Sequence, residues 1–216
     1  MNIPRTFTLL AALAIAVAAA GCQTMKYEVF EWFGTEKRDL LRSAISGLVD
    51  DQNDAKEKFG TALDRVKALT SFHGGDLESE YDRLKSASEG ADASARAIDS
   101  RISSIETVAT DLFDEWAAEI GKMQTASLTD DSRRKLAETK SRYATMHASM
   151  LASRRKMTPA LTLLNDQVLY LKHNLNAAAI GSLGDSMRDV ETSITALRRS
   201  IEDSNREAQG FIATIR

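Results

Sequence analysis

Apolar residues recur along most of this chain in steps that alternate between four and three. The first such seam reads Leu41, Ile45, Leu48, Gln52, Ala55, Phe59, Ala62, Val66, Leu69. A second reads Leu77, Tyr81, Leu84, Ser88, Ala91, Ala95, Ile98, Ile102, Ile105, Ala109, Leu112, Trp116. That 3.5-residue period places one narrow stripe on one side of an α-helix and favours left-handed helix pairing. Strands alternate with a period of two, so the pattern excludes a sheet over these lengths. Proline is nearly absent, with only Pro4 and Pro159 in 216 residues. Pro costs about 3 kcal/mol inside a helix, so its scarcity permits long uninterrupted ones. Aromatics make up 6% of the chain, which suits helices meeting along seams better than a thick globular core.

The third seam is less regular: Leu136, Lys140, Tyr143, His147, Met150, Arg154, Met157, Leu161, Leu164, Val168, Leu171, Leu175. Three polar residues interrupt it, and Met146 and Leu151 suggest that the stripe drifts. Pro159 should kink this helix rather than end it. The fourth seam runs Ile180, Leu183, Met187, Val190, Ile194, Leu197, Ile201, Ser204, Ala208, Phe211, Ile215. Leu175 to Ile180 is a five-residue step. Either the chain turns there, or one long helix carries a stutter; Gly181-Ser182 with Asp185 favours a turn. The other boundaries read as Thr35 capping the first helix and His73-Gly74-Gly75 ending it. Asp76 caps the second, and Thr129 to Asp131 start the third after a turn over 125–128. The expected fold is all-α, an elongated antiparallel bundle or coiled coil of three to four helices over residues 36–216.

The first 35 residues are different. Arg5 precedes an apolar run from Phe7 to Ala18, too short to span a bilayer but of the length of a signal-peptide core. Ala19-Ala20-Gly21-Cys22 follows and resembles the lipobox of bacterial lipoproteins, with Ala19 where Leu is usual. Residues 1–21 are therefore expected to be a cleaved signal peptide, and Cys22 the lipidated residue. Cys22 is the only cysteine, so no disulfide forms within the chain, and thioether lipidation would remove a free thiol from an oxidising compartment. Gln23, in place of Asp, favours the outer membrane under enterobacterial sorting rules. Residues 22–35 then read as the lipidated Cys and a linker. Its aromatics Tyr27, Phe30, Trp32 and Phe33 either cap the bundle or lie at headgroup level.

Composition narrows the chemistry. The chain carries 28 Lys+Arg and 31 Asp+Glu, interspersed, without the clustered basic face that nucleic acid requires. His73, His147 and His173 are far apart, and no metal-ligand spacing, nucleophile elbow or phosphate-cradling loop occurs. No catalytic residue, metal, cofactor or small-molecule substrate is expected. One stretch is unusual: Asn165, Asp166, Gln167, Tyr170, Lys172, His173, Asn174 and Asn176 crowd hydrogen-bonding groups beside an apolar seam. It reads either as a recognition surface or buried polar network that fixes partner and register, or as an ordinary solvated face. Asn165, Gln167, Tyr170, His173 and Asn174 are its candidate interaction residues.

Several segments also resemble a known family. They are Phe33-Gly34-Thr35-Glu36-Lys37-Arg38-Asp39-Leu40-Leu41, Gly74-Gly75-Asp76-Leu77-Glu78, Leu112-Phe113-Asp114-Glu115-Trp116, and Lys156-Met157-Thr158-Pro159 with Asp166-Gln167-Val168-Leu169-Tyr170-Leu171-Lys172-His173-Asn174-Leu175-Asn176. Over nearly the whole mature chain they are similar to the domain of unknown function 2959 family, bacterial coiled-coil proteins often classed as lipoproteins. Gly181 and Gly184 depart from that resemblance, since helix formers are expected there. The resemblance implies no activity, cofactor or catalytic residue. The expected function is a non-enzymatic structural or protein-interaction rod, tethered through Cys22 to the periplasmic face of the outer membrane, with an envelope protein or a second copy as partner. The alternatives are an accessory or adaptor subunit of an envelope transport system, and an enzyme with an unrecognised site.

Overall fold

The computed structural model describes residues 6–72 and 74–215, with side chains described from residue 36 onward apart from 177–179 and 185. His73 and the side chains of Cys22, Tyr27, Phe30, Trp32 and Phe33 lie outside the described residues. Among the described residues there are four helices and no strand: α1 Thr6–Thr70, α2 Leu77–Ile120, α3 Ala126–His173 and α4 Ala177–Ile212. Each of α1 and α3 packs against both α2 and α4, so the helices form a ring in chain order. All neighbours run antiparallel. Between α1 and α4, Gln52 meets Ser204, Lys56 meets Glu202 and Lys67 meets Glu191. Residue numbers fall on one helix as they rise on the other. The same holds for Lys37–Glu115 and Asp51–Arg101 between α1 and α2, and for Ser88–Asn165, Asp99–Arg154 and Glu106–His147 between α2 and α3.

The seams explain this packing. All nine residues of the first are fully buried, Gln52 included. On α2, Leu84 through Leu112 are buried at every seam position, with Leu77, Tyr81 and Trp116 half-covered at the ends. Each buried leucine- or isoleucine-sized side chain contributes about 1.5–3 kcal/mol. The exposed ion pairs between helices add less than about 1 kcal/mol each and serve mainly to set register. One of them has a steric condition. Arg101 crosses α1 over Gly47 to donate to Asp51 at 2.8 Å, and a Cβ on Gly47 would stand 3.0 Å from its guanidinium.

The third seam needs correction. The residues facing inward on α3 are Met146, Met150, Ser153, Met157, Ala160, Leu164, Gln167 and Leu171. Ser153, Ala160 and Gln167 take the places expected for Arg154, Leu161 and Val168, and Met146 replaces His147. At these positions the inward residue is the one before the expected seam residue, while Met150, Met157, Leu164 and Leu171 are buried where the seam places them. Arg154 instead lies at the surface, paired with Asp99 at 2.5 Å. α3 continues through Pro159.

Boundaries also shift. α1 passes through Thr35 without a break, so Thr35 caps nothing. α3 begins at Ala126, with Thr125 as its cap position, earlier than Thr129. The turn between the third and fourth seams exists, but it falls at Asn174–Asn176; Leu175 leaves the seam for the loop, 40% exposed. Gly181 and Gly184 then lie inside α4, not at its start. Asp76 does cap α2, accepting from the Ser79 N–H at 3.2 Å, and Gly74 and Gly75 have φ of 144° and 122°. These glycines separate into two kinds. Nothing stands within 4 Å of a Cβ on Gly181 or Gly184, so Gly181→Ala and Gly184→Ala should each stabilise the protein by about 0.5–1 kcal/mol through helix propensity. Gly74→Ala and Gly75→Ala should destabilise by about 1–2 kcal/mol, because an L side chain strains at positive φ. Thermal unfolding of the four variants checks both signs. Losses at 181 and 184 would show that α4 does not run through them.

Candidate functional site

The candidate interaction residues sit at the α3–α4 end of the bundle. The last turns of α3 divide them by direction. Leu164, Gln167 and Leu171 face the core. Gln167 is 6% exposed and its Nε2 donates to Ser186 Oγ on α4 at 2.9 Å. Asn165 turns toward α2 and accepts from Ser88 Oγ at 3.0 Å. Asn174 closes the helix, donating through Nδ2 to the Tyr170 carbonyl at 3.0 Å. These three therefore hold the tip together. Tyr170 and His173 do not join them; with Asp166 they lie on the exposed side. The spacing Asp166, Leu169, Tyr170, His173 is one helical face, and Leu169 is 59% exposed on it.

The polar run is thus neither one surface nor one buried network. It is a pinned hairpin whose outer face offers an apolar Leu, a phenol, an imidazole and a carboxylate. Leu169 and loop residue Leu175 were not among the expected site residues. Leu169 lies off both the expected and the observed α3 stripe, and nothing in a leucine-rich heptad pattern marks such a leucine as exposed. Exposed apolar and aromatic side chains beside hydrogen-bonding groups suit a protein partner, where Tyr supplies contact area with a polar end.

A second polar feature crosses the core. Gln52 Nε2 donates to Ser153 Oγ at 2.8 Å and to Ser204 Oγ at 3.1 Å, joining α1, α3 and α4 in one layer. All three residues are fully buried, and Gln52 Oε1 has no partner. An amide bonded to two hydroxyls at one level fixes the axial register of three helices.

The opposite end is aromatic. Tyr143 lies edge-on to Phe113 and Phe211, with centroids at 5.5 and 5.9 Å, and stacks on His147. His147 Nε2 stands 2.6 Å from Glu106 Oε1. Burial, reinforced by the Glu106 charge, pushes the Tyr143 phenol up to about 12, so it stays neutral and packs as an aromatic. α4 stops near this cluster while α2 and α3 continue. An open cleft of about 670 Å³ remains beside Trp116, whose Nε1 donates to Ser132 Oγ at 2.9 Å and whose ring faces the Arg38 guanidinium at 5.4 Å. Arg38, Lys135 and Arg142 in its lining are matched by Glu119, Asp131 and Glu138. The mixed charge gives no preference for an anion or a cation. The Asp131 carboxyl is held below its ordinary range by its hydrogen bond to Lys135, with further help from Arg134.

Among the described residues no group of His, Cys, Asp or Glu could hold a metal ion. Among them too, no helix is long and apolar enough to cross a membrane.

A comparison with curated proteins finds no match. Residues 26–215 match the family described as Protein of unknown function (DUF2959), which bears out the resemblance carried by the Phe33–Leu41 and Asp166–Asn176 segments. The chain belongs to the DUF2959 family of proteins of unknown function.

Proposed function

We propose that the protein is a non-enzymatic, lipid-anchored rod of the bacterial envelope, held at the periplasmic face of the outer membrane by Cys22, which presents its α3–α4 tip to an envelope protein. In this reading the helices pack as a left-handed coiled coil along their heptad seams. The observation that carries it is axial. α1 runs without a break from the lipobox-like Ala19-Ala20-Gly21-Cys22 into the bundle, and α3 carries the chain back to the opposite end. At 1.5 Å per residue, the 48 residues of α3 span roughly 70 Å. Anchor and tip are the two ends of one rod.

Such a body separates two points, and its outer tip bears the apolar and aromatic groups that a partner would cover. Several acyl chains on one cysteine give stable attachment, at about 0.8 kcal/mol per buried CH₂. The anchor is tested by replacing it. Cys22→Ser should abolish incorporation of labelled palmitate and move the protein from the membrane fraction to the soluble one. Undiminished labelling, or membrane retention resistant to this change, would remove the lipid anchor from the account.

A further inference from the structure

The α2–α3 tip lies at the same end of the bundle as Cys22. Lys37 pairs with Glu115 at 3.0 Å, which fixes the level of α2 against α1. From that level α1 runs back 15 residues to Cys22, roughly 22 Å of helix. α2 runs five residues in the same direction, from Glu115 to Ile120, before the loop Gly121–Thr125 and the start of α3 at Ala126. α2 therefore ends roughly 15 Å short of Cys22 along the axis, and the loop Gly121–Thr125 narrows that gap. The polar headgroup layer is about 5–8 Å thick on each side of a bilayer, so a modest tilt of the rod brings the tip onto the lipid surface.

The side chains of the tip divide accordingly. Ile120 and Thr129 are buried and close the hairpin. Met123 and Leu128 are the exposed large apolar side chains of the tip, at 40% and 62%, and Met123 also lines the cleft beside Trp116. The charges around them balance. Asp130 pairs with Arg133, Asp131 with Arg134 and Lys135, and Arg134 also with Glu138, three carboxylates against three cations. A surface whose charges are paired among themselves neither needs nor repels anionic lipid, and it fits a zwitterionic headgroup layer.

We propose that the α2–α3 tip is a second, non-covalent membrane contact, in which Met123 and Leu128 enter the headgroup layer of zwitterionic phospholipid and set the tilt of the rod. This rests on the anchored-rod reading for its geometry. Two points of attachment define an orientation that a single lipidated residue leaves free.

The test couples the free Cys22 thiol of the mature chain, its only cysteine, to a maleimide lipid. The vesicles are phosphatidylcholine and phosphatidylethanolamine, and the surface density is low. Hydrogen exchange over residues 121–130 is compared with that of thiol-capped protein free in solution beside the same vesicles. Exchange there should slow at least threefold on coupling, with residues 173–177 at the far tip unchanged. Met123→Asp with Leu128→Asp should restore the solution rate while leaving helicity and thermal stability as they were; Met123→Leu should keep the protection. Equal exchange in coupled and free protein overturns the proposal. So does protection that survives the double Asp change, or that appears only at high surface density, which assigns the tip to a second copy. Because the coupling is chemical, the outcome does not depend on lipidation in cells. A failure of palmitate labelling at Cys22 defeats the anchor alone.

Discussion

Phe59→Ala should cost about 3–5 kcal/mol, the range for deleting a large aromatic from a closed core. Phe59 is fully buried midway along the α1 seam. A Cβ on Gly90 would stand 3.8 Å from Lys58 Cδ, which sets Phe59 level with the small-residue stretch of α2 from Ser88 to Ala95. Ser88, Ala91, Ser94 and Ala95 are all buried there. Small residues on one helix make the space that a phenyl ring on its neighbour fills, and a close-packed core relaxes only in part when such a ring is removed. A domain of this size has about 5–15 kcal/mol of stability in total. The loss should therefore appear as a large drop in the denaturation midpoint without a change in slope. A cost below about 1.5 kcal/mol would mean that the α1–α2 seam is not closed at this level.

Gln52 should behave in the opposite way depending on what replaces it. Gln52→Ala leaves a cavity and strips the layer of its donor, and should cost about 2–4 kcal/mol. Gln52→Leu fills nearly the same volume with apolar atoms. It removes a buried amide whose Oε1 has no partner, while Ser153 keeps its bond to the Met150 carbonyl. That change should be neutral or stabilising by about 1–2 kcal/mol, since a buried polar group adds specificity more than stability. What it should lose is uniqueness. With an apolar layer from end to end, helices can slip by a heptad, and size-exclusion profiles should broaden. Equal destabilisation by Ala and Leu would mean that the amide itself holds the bundle together and is no register device.

Much of this fold is legible in the sequence because heptad spacing is a local signal. The α1 seam, the α4 seam apart from half-buried Met187, and the central part of the α2 seam are buried at the positions their four–three steps indicate. α3 misleads for a physical reason. Its core stripe uses Ser153, Ala160 and Gln167 beside larger apolar neighbours, and burial there is decided by how closely the facing helices approach, which one helix's pattern does not encode. Thr35 misleads similarly. It is a good cap residue, but a cap acts only where a helix ends, and α1 continues through it. The turn at Asn174–Asn176 was foreseeable from the five-residue step, while Gly181 and Gly184 drew the expected helix start too far along.

The site was legible in place more than in kind. The run from Asn165 to Asn176 does mark the α3–α4 tip. Sequence density alone cannot separate Gln167, which bonds to Ser186 across the hairpin, from Tyr170 three residues on, which faces outward. Leu169 and Leu175 were hidden because an exposed leucine has no signature of its own in a leucine-rich pattern.

The central claim is that the α3–α4 tip is the working end of the rod. It is tested most directly by placing a photoreactive benzoyl-phenylalanine at position 170 in living cells, with the same group at exposed Asp64, on the side of α1, as comparison. The account predicts a discrete adduct between this protein and one other envelope protein from position 170, absent from position 64 and lost when Cys22→Ser releases the anchor. No adduct from 170, or the same adducts from both positions, would contradict it.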